Sequence, residues 1–201
     1  MNVLAIVGSP RKGKSTDTLV DKAIEGVKSK NPECVVTKIH LADQNIESCR
    51  NCLVCRDSKS PGPYAKCVIR DDMDQISEEI VRSDVLIFGS PIHMGSTTSL
   101  MLKFLERICW TFAKPEASYL TVHGCPTPRA EKERKAAIIV TSGIIPPYFK
   151  MFCNSATPLM KQTIKDSLNA NTVGALYAGD IEHRGVEAYL EKAFTLGTKL
   201  S

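Results

Sequence analysis

The chain has 201 residues, 43% of them hydrophobic and 24% charged, with a formal net charge of +4. That balance is the one expected of a water-soluble domain, and no apolar run approaches the ~20 residues that cross a bilayer. Lys and Arg are interspersed with Asp and Glu rather than gathered on one stretch, which argues against a nucleic-acid footprint.

Residues 3–7 (VLAIV) form a continuous apolar run ending at Gly8, the pattern of a strand buried on both faces. The run is too short for the apolar core of a signal peptide and has no basic segment before it, so the sequence predicts a cytoplasmic protein. Leu19, Val20, Ala23, Ile24 and Val27 place a helical stripe over 16–28. Alternation of Val35, Thr37, Ile39 and Leu41 predicts a second strand at 35–41. An irregular, cysteine-bearing stretch follows at about 45–72, and Ile76, Ile80 and Val81 suggest a short helix. VLIFG at 85–89 predicts a third, buried strand. Leu100, Met101, Phe104, Leu105 and Ile108 predict the helix after it. A second long loop is expected at 111–135, then a strand at 136–141, a helix over 149–168, a strand at 172–178 and a closing helix over 185–198.

Five strands alternating with helices predict an α/β fold with a parallel sheet covered on both faces. Nothing marks a linker or a repeat, so one domain spanning 1–201 is expected, with the cysteine-rich insertion at 45–72. Two segments exceed ordinary loop length, a feature more often functional than incidental.

In open α/β sheets ligands sit beyond the carboxyl ends of the strands. The first such loop, Gly8-Ser9-Pro10-Arg11-Lys12-Gly13-Lys14-Ser15-Thr16, leads into a helix. Helix-start N–H groups, the hydroxyls of Ser9, Ser15 and Thr16, and the charges of Arg11 and Lys12 suit an anion. Gly8, four residues, Gly13, Lys14 and Ser15 also match the P-loop pattern literally. Against that reading, no later strand ends in the aspartate that would hold magnesium. The dinucleotide pattern G-x-G-x-x-G is absent. The loops after the third strand (Pro91, Ile92, His93, Met94, Gly95, Ser96) and the fourth (Thr141, Ser142, Gly143) carry no nucleophile or acid–base pair. They are small and rich in backbone polarity, suited to lying along a flat ring.

Eight cysteines are the compositional outlier, and four lie within residues 49–67. Cys49, Cys52 and Cys55 are spaced C-x2-C-x2-C, and Cys67 follows after eleven residues. Such a set suits a [4Fe–4S] cluster or zinc. Free thiols and a redox disulfide are the other readings of the same residues.

GSPRKGKST at the first strand, GSPIHMGSTTSLMLKFLERI at the third and IIVTSG at the fourth resemble the NADPH-dependent FMN reductases of the flavodoxin-like superfamily. With CRNCLVC and CVIRDDMDQI added, the chain is similar to the iron–sulfur flavoproteins within that group, over roughly residues 1–145. The resemblance implies a flavodoxin-like three-layer sandwich with a five-stranded parallel sheet, and FMN rather than a nucleoside triphosphate at the first loop. It implies that Ser9, Arg11, Lys12, Ser15 and Thr16 hold the FMN phosphate. Residues 91–96 would border the ribityl chain and ring, and residues 141–143 would complete the ring's polar edge. Two departures stand out. His93 and Met94 replace Tyr and a second aromatic residue, and DSKSPGPYAK lengthens the gap before Cys67. The implied function is FMN-dependent electron transfer with a [4Fe–4S] cluster on Cys49, Cys52, Cys55 and Cys67 and electrons from ferredoxin. The alternatives are an NAD(P)H-dependent FMN or quinone reductase without a cluster, and a P-loop nucleotide-binding protein. A homodimer or homotetramer is implied, with no nucleic-acid or membrane partner and no catalytic side chain.

Overall fold

Each central strand divides its side chains between two cores, as the period-2 geometry of a strand requires. Leu4 and Ile6 enter one core while Val3, Ala5 and Val7 enter the other; Leu86 and Phe88 oppose Val85 and Ile87 in the same way. Burying a Leu, Ile or Phe side chain of this kind contributes about 1.5–3 kcal/mol.

A computed structural model describes residues 1–201. In chain order the elements are β1 (Asn2–Val7), α1 (Ser15–Lys30), β2 (Val35–His40), α2 (Met73–Arg82), β3 (Val85–Pro91), α3 (Ser99–Phe112), β4 (Ala113–Tyr119) and β5 (Val122–Pro128). Then come β6 (Arg134–Thr141), α4 (Lys150–Cys153), α5 (Ala156–Leu168), β7 (Ala170–Ala178), α6 (Ile181–Arg184) and α7 (Leu190–Thr198). Five strands form one sheet in the order β2-β1-β3-β6-β7, and every pairing in it is parallel. This is the flavodoxin-like order, which reverses direction between β1 and β3. The expected three-layer α/β sandwich is therefore the fold. Residues of α1 and α7 fill one core, and residues of α2, α3 and α5 fill the other.

The crossing of α1 and α7 depends on two glycines. A Cβ at Gly26 would stand 2.1 Å from the Phe194 carbonyl oxygen, and one at Gly197 would stand 1.9 Å from that of Ala23. Only a hydrogen at both positions lets the two backbones approach this closely.

Three expectations change. Residues 111–135 are not a plain loop: β4 and β5 pair as an antiparallel hairpin. Pro115, Pro126 and Pro128 disguise it, because proline marks edge strands and cannot donate to a ladder. The helix expected over 149–168 is two helices. The break falls at Asn154, whose side-chain carbonyl accepts from the Thr157 N–H at 3.1 Å and starts α5 afresh. The closing helix expected over 185–198 begins only at Leu190, as α7, and an unexpected short helix, α6, precedes it and ends at Gly185, with φ +74°. The cysteine segment is irregular as expected, with no helix or strand between Asp43 and Met73. No helix is long and apolar enough to cross a membrane.

Candidate functional site

The loop after β1 is shaped by its own side chains. The Arg11 N–H donates to Ser9 Oγ at 3.2 Å, and the Gly13 N–H donates to an Asp17 carboxylate oxygen at 2.7 Å. Gly13 has φ +65°, a conformation that glycine adopts without steric cost. Burial alone would raise the Asp17 carboxyl. The Lys38 hydrogen bond, the Gly13 amide and the charges of Lys38 and His40 outweigh burial and hold it below the ordinary carboxylate range.

At the start of α1 the N-cap is Lys14, whose side chain caps nothing. The first-turn N–H groups are left without a side-chain acceptor, the condition in which a helix start takes an anion. Thr98 ties this loop to the next. Its Oγ1 donates to the Gly8 carbonyl at 2.6 Å and accepts from the Met101 N–H at 3.2 Å, capping α3.

A pocket of about 340 Å³ opens where these loops meet, within the usual range for small-molecule sites. Ser9, Arg11, Ser15 and Thr16 line it from the first loop, Pro91, Ile92 and His93 from the second, and Thr141, Ser142 and Gly143 from the third. Thr16 Oγ1 and Thr141 Oγ1 share a buried hydrogen bond of 2.7 Å, which joins two walls and leaves the accepting hydroxyl its own hydrogen to donate. A larger open groove of about 500 Å³ runs along β7 and α7, and none of its lining residues comes from these three loops.

Four of the residues singled out in the sequence are not among the lining residues. Lys12 is ion-paired with Asp43, and Lys14 lines the pocket instead. Met94, Gly95 and Ser96 belong to a tight turn. His93 and Ser96 exchange two backbone hydrogen bonds of 2.9 Å, and Met94 and Gly95 between them have φ of +49° and +77°. This two-residue primed turn leaves the Met94 side chain fully exposed.

Ile181 and Glu182, beyond β7, complete the wall. Their amides bond to the Ser142 and Gly143 carbonyls at 3.1 and 3.0 Å. A Cβ at Gly143 would lie 2.5 Å from the Glu182 carboxylate. Sequence reading missed this wall because it stopped at the fourth strand. The signal that could have found it is Gly179-Asp180 at the end of the fifth. Beyond the pocket, Ile144, Tyr148, Phe149, Met151 and Phe152 form an exposed apolar run.

The four clustered cysteines also come together. Cys49, Cys52, Cys55 and Cys67 line one pocket against Arg107, Trp110 and Thr111 of α3, and none is in a disulfide. No group of three or more His, Cys, Asp or Glu is drawn in tightly enough to hold a single metal ion. Asn51 and Leu53, on either side of Cys52, have φ of +49° and +60°, strain of the kind found at ligand loops. The Asn51 N–H donates to Cys49 Sγ at 3.4 Å. Burial pushes the Cys55 thiol up and the neighbouring Cys67 adds to it, against the opposing bond from the Arg56 amide; Cys49 and Cys52 contribute further.

The loop is held from outside. Arg129 donates to the carbonyls of Cys55 at 2.9 Å and Ser58 at 3.2 Å, Tyr64 stacks on Phe112 with centroids 5.4 Å apart, and the Ala65 N–H bonds to the Thr111 carbonyl.

The sequence model of NADPH-dependent FMN reductases matches residues 1–146, which carry all three pocket loops before the last strand and the cysteine loop. The chain belongs to that family. Among curated family relatives, an iron-sulfur flavoprotein of Archaeoglobus fulgidus is 31% identical over 108 residues, 54% of this chain and 46% of that protein. One from Methanosarcina thermophila is 30% identical over 107 residues, 53% of this chain and 52% of that protein. The chain spans about half the length of the curated relatives it matches. Among solved structures, the NAD(P)H:quinone oxidoreductase from Methanothermobacter marburgensis superposes with a TM-score of 0.69 at 16% identity, covering 100% of this chain and 96% of that one. A likeness at that identity bears on the fold.

Proposed function

We propose that the chain is an FMN-dependent electron-transfer oxidoreductase, with FMN in the pocket at the ends of β1, β3 and β6 and a [4Fe–4S] cluster on Cys49, Cys52, Cys55 and Cys67. The carrying observation is that an anion-ready helix start opens into a pocket lined by the loops after β1, β3 and β6, in a chain of this family. Bound FMN would supply hydride acceptance and one-electron release.

The residues fit the group. Arg11, Lys14, Ser15 and the uncapped N–H groups of α1 suit the phosphate. Pro91, Ile92 and His93 stand beside Thr141, Ser142 and Gly143, joined by the Ile92 N–H bond to the Thr141 carbonyl at 2.8 Å, and the two loops together suit the ring and its polar edge. The chain's own work is to bind, orient and exclude water, and no side chain in the pocket forms a nucleophile–base pair.

The cysteine set fits a cluster better than a single ion. A cubane presents four separate iron corners, so its thiolates stand farther apart than the four ligands of one tetrahedral metal. The Asn51 and Arg56 amides already turn toward cysteine sulfurs, the kind of bond that tunes such a group. Ferredoxin is the proposed electron donor. The apolar run 144–152 next to the pocket supports a homodimer or homotetramer, since an exposed patch of this kind marks a contact surface. A cytoplasmic setting suits eight unpaired thiols.

The second reading is an NAD(P)H-dependent FMN or quinone reductase without a cluster. Membership of a family of NADPH-dependent FMN reductases favours it. A visible spectrum with iron and flavin quantitation on anaerobically purified protein separates the two. About one FMN and four irons per chain support the first reading, flavin alone the second, and a colourless protein that binds neither overturns both.

A further inference from the structure

Arg107 is the least exposed cation in the molecule. It is 2% exposed, on the face of α3 that meets the cysteine loop. One Nη donates to the Glu47 carbonyl at 2.9 Å and to one Asp71 carboxylate oxygen, and the other Nη donates to the second Asp71 oxygen at 3.1 Å. Both side chains of this fork are 1% exposed. One N–H of the second Nη is left over, and so is Nε, which is buried and without a hydrogen-bond partner. A buried donor with no acceptor is rare enough to need a reason.

The reason lies in what surrounds it. Arg107 lines the pocket of the four cysteines, and the Cys67 sulfur is near enough to stabilise its charge. Asp71 lies four residues after Cys67, so the fork fixes the far end of the segment that delivers this cysteine. The Glu47 carbonyl, two residues before Cys49, is held by the same guanidinium. One side chain therefore pins both ends of the loop, which explains how Cys67 reaches the pocket across an eleven-residue gap.

We propose that Arg107 is the positioning residue of the cysteine pocket, holding Cys67 in place as fourth ligand through Asp71 and presenting its free Nε–H to the sulfur of the cluster. This rests on the cluster reading above. A donor and a positive charge beside the sulfur favour the reduced, more negative cluster, and so raise its potential.

Two variants test it on anaerobically reconstituted protein loaded with FMN. Arg107→Lys keeps a charge beside Asp71 but has no Nε–H. Arg107→Gln with Asp71→Asn removes both charges together, so neither is left buried alone. Iron and FMN per chain are measured, with the cluster potential from EPR-monitored potentiometry. In the double variant the oxidised-to-reduced ratio at fixed potential should rise at least tenfold, a fall of about 59 mV for a one-electron couple. Arg107→Lys should shift in the same direction by less, and the FMN potential should not move. Loss of iron with FMN retained also supports the positioning role. Full iron and an unmoved cluster potential in both variants overturn the inference alone. Wild-type protein that takes FMN but no iron overturns the cluster reading and this inference with it.

Discussion

Replacing Arg11 and Ser15 together by Ala tests whether the first loop holds a phosphate. Arg11 is exposed and Ser15 half-buried, and the loop's own turn is made by the Arg11 backbone rather than by its side chain. Removing both side chains should therefore leave the apo fold within about 0.5 kcal/mol of wild type, a melting shift of about 1–2 °C. For the ligand the loss is larger. A hydrogen bond to a charged group contributes about 1.5–3 kcal/mol, and both side chains would bond the phosphate, so the pair should lose about 3–6 kcal/mol of FMN binding. At about 1.4 kcal/mol per decade, Kd rises roughly 140- to 20,000-fold. Binding is not abolished, because the backbone N–H groups of α1 remain. The assay is quenching of flavin fluorescence, run with FMN and with riboflavin, which has the same ring and no phosphate. Riboflavin affinity should be unchanged by the double substitution. Equal losses for the two flavins, or no loss for FMN, would refute the phosphate assignment.

Gly26→Ala should lower the melting temperature seen by circular dichroism. The usual helix gain of Ala over Gly, about 1 kcal/mol, is overwhelmed when the new methyl meets the Phe194 carbonyl at 2.1 Å, an overpacking cost of about 1–3 kcal/mol or more. Asp71→Asn should cost about 3–5 kcal/mol at neutral pH by stranding Arg107, read from urea unfolding. Burial alone would raise the Asp71 carboxyl, but the Arg107 fork and the Glu47 and Met73 amides together hold it low. Its contribution is thus full above the unfolded value of about 3.9 and is lost as pH falls below that toward the folded value, so the variant's stability should fall less steeply there. In metal-free protein at neutral pH, Cys55 should alkylate with iodoacetamide more slowly than exposed Cys49 and Cys52, as mass spectrometry of the peptides would show, because burial keeps its thiol protonated.

The central strands were readable from the sequence because they are buried on both faces and so appear as unbroken apolar runs. β1, β3 and β6 each begin or end within two residues of the sequence expectation. The loops after them were readable as pocket walls for the same reason: once the strands are placed, topology puts their carboxyl ends together. Which side chain turns inward was not readable. Lys12 and Lys14 flank Gly13, and the choice between them is made by the φ of +65° there together with the Asp43 carboxylate from after β2. Glu182 was hidden because its place depends on hydrogen bonds from the β7 side to Ser142 and Gly143, contacts between segments about forty residues apart. The hairpin of β4 and β5 was hidden by its prolines.

α3 gives the two pockets a common frame. Its N-cap Thr98 holds the Gly8 carbonyl under the first loop, and its last two turns carry Arg107, Trp110 and Thr111 into the cysteine pocket. With a rise of about 1.5 Å per residue, Thr98 and Arg107 lie about 13 Å apart along the axis. Met101, Phe104 and Leu105 between them and Ile108 just beyond are buried in one core, so the helix has little freedom to tilt. The spacing of the pockets is set by packing, not by the irregular loop that carries the cysteines. Changes confined to either pocket should therefore leave the other intact, and a change that moves both at once should be sought among the buried residues of α3.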